Sequence, residues 1–171
     1  MIDFGFGVKL DSLKIQHREK YREWRNDHRV YKWCRQRDLI SELDQDIWFN
    51  WQNESQTTKM YEIYTDSGSV GVCGLTSIDQ VNQTAEFSLY IGPEFQRNGY
   101  AKMGLKTLCK HAFMNLNINC VWGETYNGNP AYVLFEKIGF KLDGVGRQRY
   151  FREGKFIDVK YFSLLRQECL F

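Results

Sequence analysis

Apolar and polar positions fall into two rhythms along the chain, one of period two and one of helical period. Phe4 to Leu10 predicts a first strand. His17 to Asn26 and Val30 to Gln36 predict helices. Ser41-Glu-Leu-Asp44 has the form of a capping box, with Asp in place of Glu. It opens a helix through Ile47, Trp48, Phe49 and Trp51 to about Asn53. Met60 to Tyr64 and Val70 to Ile78 alternate as strands around the turn signal Asp66-Ser-Gly68. Ala85 to Ile91 is a further strand, with Phe87, Leu89 and Ile91 on one face and Glu86, Ser88 and Tyr90 on the other. Behind Gly99, Leu105, Leu108, Cys109, Ala112 and Leu116 mark a helix whose other face carries Lys102, Lys106 and Lys110. Cys120 to Thr125 is a short strand. Asn129, Pro130 and Gly139 suit N-cap, N1 and C′ of a helix over about 130–138. Tyr150 to Lys155 joins two final strands, the second over about 156–165.

The strand ending at Ile91 runs through a short turn into Gln96-Arg-Asn-Gly-Tyr-Ala101, at the head of the next helix. A loop entering a helix N-terminus presents free N–H groups and the positive end of the helix dipole, which suits an anion. Gly99 permits unusual φ and close approach, and Ala101 keeps the next position small. The pattern is neither a P-loop nor a dinucleotide fingerprint, and Gly144-Val-Gly146 is a plain turn.

Composition narrows the class. The 171 residues suit one domain with a real core, and 43% apolar content marks a globular chain. A net charge of +2 argues against a nucleic-acid binder acting by bulk electrostatics. Five cysteines without C-x-x-C spacing read as reduced core thiols. The start of the chain lacks the basic and apolar regions of a signal peptide, and no stretch has the length of a membrane span. The expectation is a cytoplasmic protein with no membrane partner. His17, His28 and His111 show no metal or triad spacing, so no metal is expected.

With these elements in this order, the chain resembles the GNAT superfamily of acetyl-coenzyme-A-dependent N-acetyltransferases. Gln96 to Ala101 is similar to its Q/R-x-x-G-x-G/A motif. Ala131-Tyr-Val-Leu-Phe-Glu-Lys-Ile-Gly-Phe140 is similar to its later A-x-x-L-Y-x-K-x-G-F helix. Gly154 to Asp158 with Phe162 to Leu165, and Glu23 to Asn26 with Trp33, Trp48 and Phe49, resemble one branch. That branch holds ribosomal-protein, spermidine and nucleotide-amino-sugar acetyltransferases.

The resemblance implies an α+β GNAT fold: a mixed, mostly antiparallel sheet of about seven strands flanked by about four helices. It implies one domain over 1–171, with acceptor-side helices at about 12–55, a coenzyme A core at about 59–140 and a C-terminal hairpin at about 144–166. Acetyl-CoA is the implied cosubstrate, bound by Leu89, Tyr90 and Ile91 of the strand and by Gln96, Arg97, Asn98, Gly99, Tyr100, Ala101 and Lys102. Asn127, Asn129 and Phe135 are further contacts, although Asn129 is equally the expected N-cap and Gly128 stands where the family carries Asn. Glu86 is the implied base for the acceptor amine, with a structural ion pair as the alternative. Phe135 replaces the family's acidic Tyr, which leaves Tyr126, Tyr132 and Tyr90 as substitute acids. Trp24, Arg25, Asn26, Trp33 and Ser88 are the acceptor candidates, set in a mixed-charge run (Arg18 to Arg37) that otherwise reads as a solvated helix face.

The leading expectation is transfer to a small-molecule amine, with a nucleotide-linked amino sugar ahead of a polyamine. A protein N-terminus is the enzymatic alternative, and a non-catalytic acyl-CoA-binding module is the other. The oligomeric state stays open, a dimer included.

Overall fold

The computed structural model describes residues 1–171. Eight strands form one sheet: β1 (Ile2–Asp3), β2 (Lys9–Ser12), β3 (Lys59–Thr65), β4 (Gly68–Asp79), β5 (Thr84–Ile91), β6 (Cys120–Tyr126), β7 (Lys141–Arg152) and β8 (Lys155–Leu165). Their order is β1-β2-β3-β4-β5-β6-β8-β7. All neighbours are antiparallel except β5 and β6. The helices are α1 (Arg18–Asn26), α2 (His28–Tyr31), α3 (Glu42–Glu54), α4 (Tyr100–Asn115) and α5 (Tyr132–Ile138).

Strand alternation divides the core in two. Ala85, Phe87 and Ile91 of β5 join Cys73 and Leu75 of β4 under α4, where Leu105, Leu108 and Ala112 are fully buried. On the opposite face, Val72 and Tyr90 pack with Met60 against Tyr21 and Trp24 of α1, Val30 of α2 and Phe49 of α3. Each wholly buried leucine or phenylalanine contributes roughly 1.5–3 kcal/mol by leaving water. The sheet is therefore fixed from both sides, and β5 lies at its centre.

The β5–β6 pairing is short. It runs from Thr84↔Cys120 to Glu86↔Trp122 and stops. Beyond that point β5 continues to Ile91 and β6 to Tyr126 with no ladder between them. Parallel strands that part in this way leave one edge of β5 unpaired along the wedge, with backbone groups facing it.

Several expected boundaries move. The sheet has eight strands rather than seven, and there are five α-helices rather than four. The expected strand Phe4–Leu10 is instead two strands, Ile2–Asp3 and Lys9–Ser12, parted by bends at two positive-φ glycines. The expected helix Val30–Gln36 ends at Tyr31. The residues after it are claimed by long-range contacts: Arg152 donates to the carbonyls of Cys34 and Gln36, and Arg35 reaches β5. The last helix starts at Tyr132 rather than Pro130, although Asn129 Oδ1 still accepts from Ala131 N at 3.0 Å as a cap would. The capping box at Ser41 and Asp44 forms in full.

Candidate functional site

A cavity of about 580 Å³ opens where β5 and β6 separate. Its lining follows β5 from Glu86 through Ser88, Leu89, Tyr90 and Ile91 into the turn and the head of α4. That is ~17 Å of strand between Glu86 and Ile91.

At the far end, the loop before α4 leaves backbone N–H groups free. Arg97 (φ 68°) and Gly99 (φ 81°) both lie in the left-handed region. Gly99 is the N-cap, so it offers no side chain there. The first helical bond is Met103 N to Gly99 O, so the N–H groups of Tyr100, Ala101 and Lys102 have no acceptor within the helix. No acidic residue stands in the first turn. Gln96, Arg97, Tyr100, Ala101 and Lys102 all line the cavity. Asn98 does not. Its side chain donates to the carbonyls of Phe95 and Gln96 and shapes the turn from within.

At the near end stands a charged cluster. Glu86 is 5% exposed, and its Oε1 accepts from Arg35 Nη2 at 2.5 Å. Thr76 Oγ1 lies 3.4 Å from Oε2. Arg35 Nη1 is 3.5 Å from Glu124 Oε1, to which Tyr150 donates at 2.5 Å. Burial pushes the Glu86 carboxyl above the ordinary carboxylate range; Arg35 pulls the other way, and Glu124 adds to the rise. Burial and the adjoining Glu124 together push the Tyr150 hydroxyl up to about 12.

The helix head of α4, the unpaired edge of β5 and the buried carboxylate thus share one cavity. An acetyltransferase (GNAT) domain family matches residues 8–141. The chain belongs to the GNAT acetyltransferase family.

A Bacillus licheniformis protein, the uncharacterized N-acetyltransferase p20, is 31% identical over 117 residues, which is 67% of this chain and 66% of that one. The spermidine N(1)-acetyltransferase of Vibrio cholerae is 29% identical over 102 residues, 59% of each chain. The matched stretches thus span about 59–66% of these relatives. The fold is that of the Vibrio cholerae spermidine N-acetyltransferase crystallised with CoA and spermine. The TM-score is 0.91 at 21% identity, over 96% of this chain and 99% of that one.

Within this GNAT domain the remaining candidates separate clearly. Arg25, Trp33 and Ser88 line the cavity. Trp24 does not: it is buried, its Nε1 donates to Glu94 at 3.0 Å, and its indole lies against Gly92, where a Cβ would come within 2.5 Å of the ring. Asn26 is also absent from the lining, because its amide clasps the backbone N–H and carbonyl of Ile40 at 2.8 Å each. Neither residue is placed to touch an acceptor.

Asn129 lines the cavity, while Asn127 is exposed outside it. Phe135 reaches the lining from a cluster with Phe87, Phe140 and Phe162, at ring separations of 5.1–6.1 Å. Tyr126 lines the cavity, but its hydroxyl donates to Cys34 O at 3.2 Å and sits 3.4 Å from Arg152. Tyr132 lies outside, stacked under Lys160. Tyr90 lines the cavity on the Glu86 face, and burial raises its hydroxyl pKa.

Sequence reasoning overlooked Glu124 and Tyr150, and it took Arg35 only as one of a basic run. Period-two spacing from Trp122, the register partner of Glu86, does place Glu124 on the same face as Glu86.

Proposed function

We propose that the protein transfers an acetyl group from acetyl-CoA to the primary amine of a small molecule by direct attack. The observation that carries this reading is the shared cavity. An anion-receiving helix head lies at one end of β5, and a buried carboxylate lies at the other.

In this reading the N–H groups of Tyr100, Ala101 and Lys102 hold the pyrophosphate, with the left-handed turn at Gly99 setting their direction. The unpaired edge of β5 around Leu89 to Ile91 holds the pantetheine arm and donates to the thioester oxygen. Asn129 and the Phe135 ring flank the arm. Glu86 takes the amine's proton, directly or through one water, and its raised pKa suits that task. The departing thiolate has an intrinsic pKa of about 8.5 and is a tolerable leaving group. Phe135 cannot protonate it. Of the three tyrosines considered, Tyr90 is best placed to do so, since the Tyr126 hydroxyl is tied to Cys34 and Tyr132 lies outside the cavity.

The acceptor we favour carries an anionic group beside its amine, as a nucleotide-linked amino sugar does. Arg25 lines the cavity with no carboxylate partner, held by Gln36 and stacked over Tyr90, and Trp33 adds a flat apolar surface to the same lining. Arg29 also lines the cavity but is neutralised by Asp27. A polyamine is the second reading, supported by Glu86 and Glu124 on one wall and by the name of the Vibrio cholerae relative.

Thiol release from acetyl-CoA across amino sugars, their nucleotide-linked forms, polyamines and peptides decides between them. Release with the nucleotide-linked sugars supports the first reading, and release with spermidine supports the second. Binding of acetyl-CoA without release for any amine would mark a non-catalytic module.

A further inference from the structure

The Arg35 guanidinium sits between two carboxylates in the cavity, one nitrogen on each. Nη2 is 2.5 Å from Glu86 Oε1, and Nη1 is 3.5 Å from Glu124 Oε1. The two acids are fixed by the sheet. Glu86 closes the β5–β6 ladder opposite Trp122, and Glu124 lies two residues past Trp122 on the same face. Their side chains are 6% and 11% exposed. Tyr150, from β7, anchors Glu124 at 2.5 Å, and Thr76, from β4, flanks Glu86. Arg35 is different in kind. Its side chain is 52% exposed, and it hangs from the irregular segment between α2 and α3.

This arrangement conflicts with the role given to Glu86. A carboxylate that accepts a proton from an amine must offer the amine a lone pair. Each carboxylate oxygen keeps a free lone pair, but the positive arm of Arg35 on Oε1 stands where an arriving ammonium would sit and repels it. The conflict is resolved by charge. Two carboxylates and one guanidinium sum to one negative charge, so the cluster takes one further cation when Arg35 shifts from a shared position onto Glu124 alone. Nη1 is already within 4 Å of Glu124, and an exposed loop side chain gives up little packing in moving.

We propose that Arg35 is a displaceable guanidinium holding the place of the acceptor's ammonium on Glu86, and that Glu124 is the positioning residue that receives Arg35 when the amine enters. The proposal rests on the assignment of Glu86 as base. It makes the ammonium and Arg35 competitors for one carboxylate, with the balance set by Glu124.

The groups facing Glu86 are Arg35 from the loop, Glu124 from β6 with Tyr150 of β7 behind it, and Thr76 from β4. Removing the positive neighbour raises the Glu86 carboxyl further. Removing the negative neighbour lowers it and leaves Arg35 wholly on Glu86.

The test uses the full chain and the variants R35Q, R35K and E124Q. The first readout needs no turnover: the Glu86 carboxyl is titrated by ¹³C NMR in glutamate-labelled protein and assigned with Glu86→Gln. R35Q is expected to move its midpoint to higher pH and E124Q to lower pH, with R35K staying near the parent. The second readout is KM for whichever of spermidine or a nucleotide-linked amino sugar releases thiol. R35Q is expected to lower KM several-fold by removing the competitor. E124Q is expected to raise it several-fold, with KM for acetyl-CoA unchanged in both. Shifts of the same sign in R35Q and E124Q, or a KM for the amine that rises in R35Q, would overturn the proposal. If the NMR shifts are opposite in sign but no amine releases thiol, the ion-pair geometry stands and the acetyltransferase reading fails.

Discussion

Glu86 and Trp122 are the last residues paired between the two parallel strands of the sheet. The cavity runs along β5 from that pair onward. The carboxylate stands at the apex of the wedge, the unpaired strand edge runs away from it, and the helix head of α4 waits at the open end. If Glu86 is the base, kcat/KM should fall on the acid side through a midpoint above the ordinary carboxylate range of about 4.3. The direction follows from burial, which raises this carboxyl against the pull of Arg35. The same shift makes the folded chain bind a proton where the unfolded chain does not. Glu86 should therefore make stability decline as pH rises through that window. Urea unfolding of the parent and Glu86→Gln across pH checks the sign, since the decline should be smaller in the variant.

Gly99, at φ 81°, sets the direction of the free amides at the head of α4, the proposed anion site. A Cβ there would meet only Met103 at 3.6 Å, so the cost of substitution lies in the backbone, not in crowding by neighbours. Gly99→Val should cost about 1–2 kcal/mol in the left-handed region. If that cost is met by turning the amides away, acetyl-CoA affinity falls about tenfold or more. Calorimetry with acetyl-CoA measures it; unchanged affinity would remove the loop from the site.

Phe135 lies among three other phenylalanines and has no proton to give. Phe135→Tyr is expected to give no gain in turnover, because the thiolate leaves without help from this position. A clear rise in kcat would show instead that a missing acid limits the step. Tyr90→Phe is the complementary probe, expected to lower kcat more than it changes KM for acetyl-CoA.

Gly92→Ala would force a methyl to within 2.5 Å of the Trp24 indole and strain its bond to Glu94. A loss of about 1–3 kcal/mol is expected from overpacking. Urea denaturation followed by tryptophan fluorescence reads it. A loss of stability without a matching loss of acceptor affinity would agree with Trp24 as a packing residue.

What was legible in the sequence was local. Alternation along 85–91 placed Glu86, Ser88 and Tyr90 on the face opposite Phe87, and the two core clusters divide that way. Ser41 and Asp44 announced a capping box because both partners lie within one turn. The segment after Tyr31 was misread as helix because distant residues decide it. Arg152, 118 positions from Cys34, takes its carbonyl, and Glu86, 51 positions from Arg35, takes its guanidinium. Trp24 and Asn26 looked like acceptor contacts for the same reason. Nothing local records that Gly92 seats the indole or that Ile40 fills the amide. Glu124 was within reach, since its spacing from the partner of Glu86 is a matter of period two, but register is not visible before the strands are paired.

The measurement that bears most directly on the account compares Glu86→Gln with the parent in two assays, acetyl-CoA affinity and thiol release with an accepted amine. The account predicts unchanged affinity, because Glu86 lies ~17 Å of strand away from Ile91 and the helix head that follows it. It predicts a fall in turnover of about 10²–10⁴-fold, the usual contribution of a general base. Full turnover in Glu86→Gln, with the acid side of the pH profile unmoved, would contradict it.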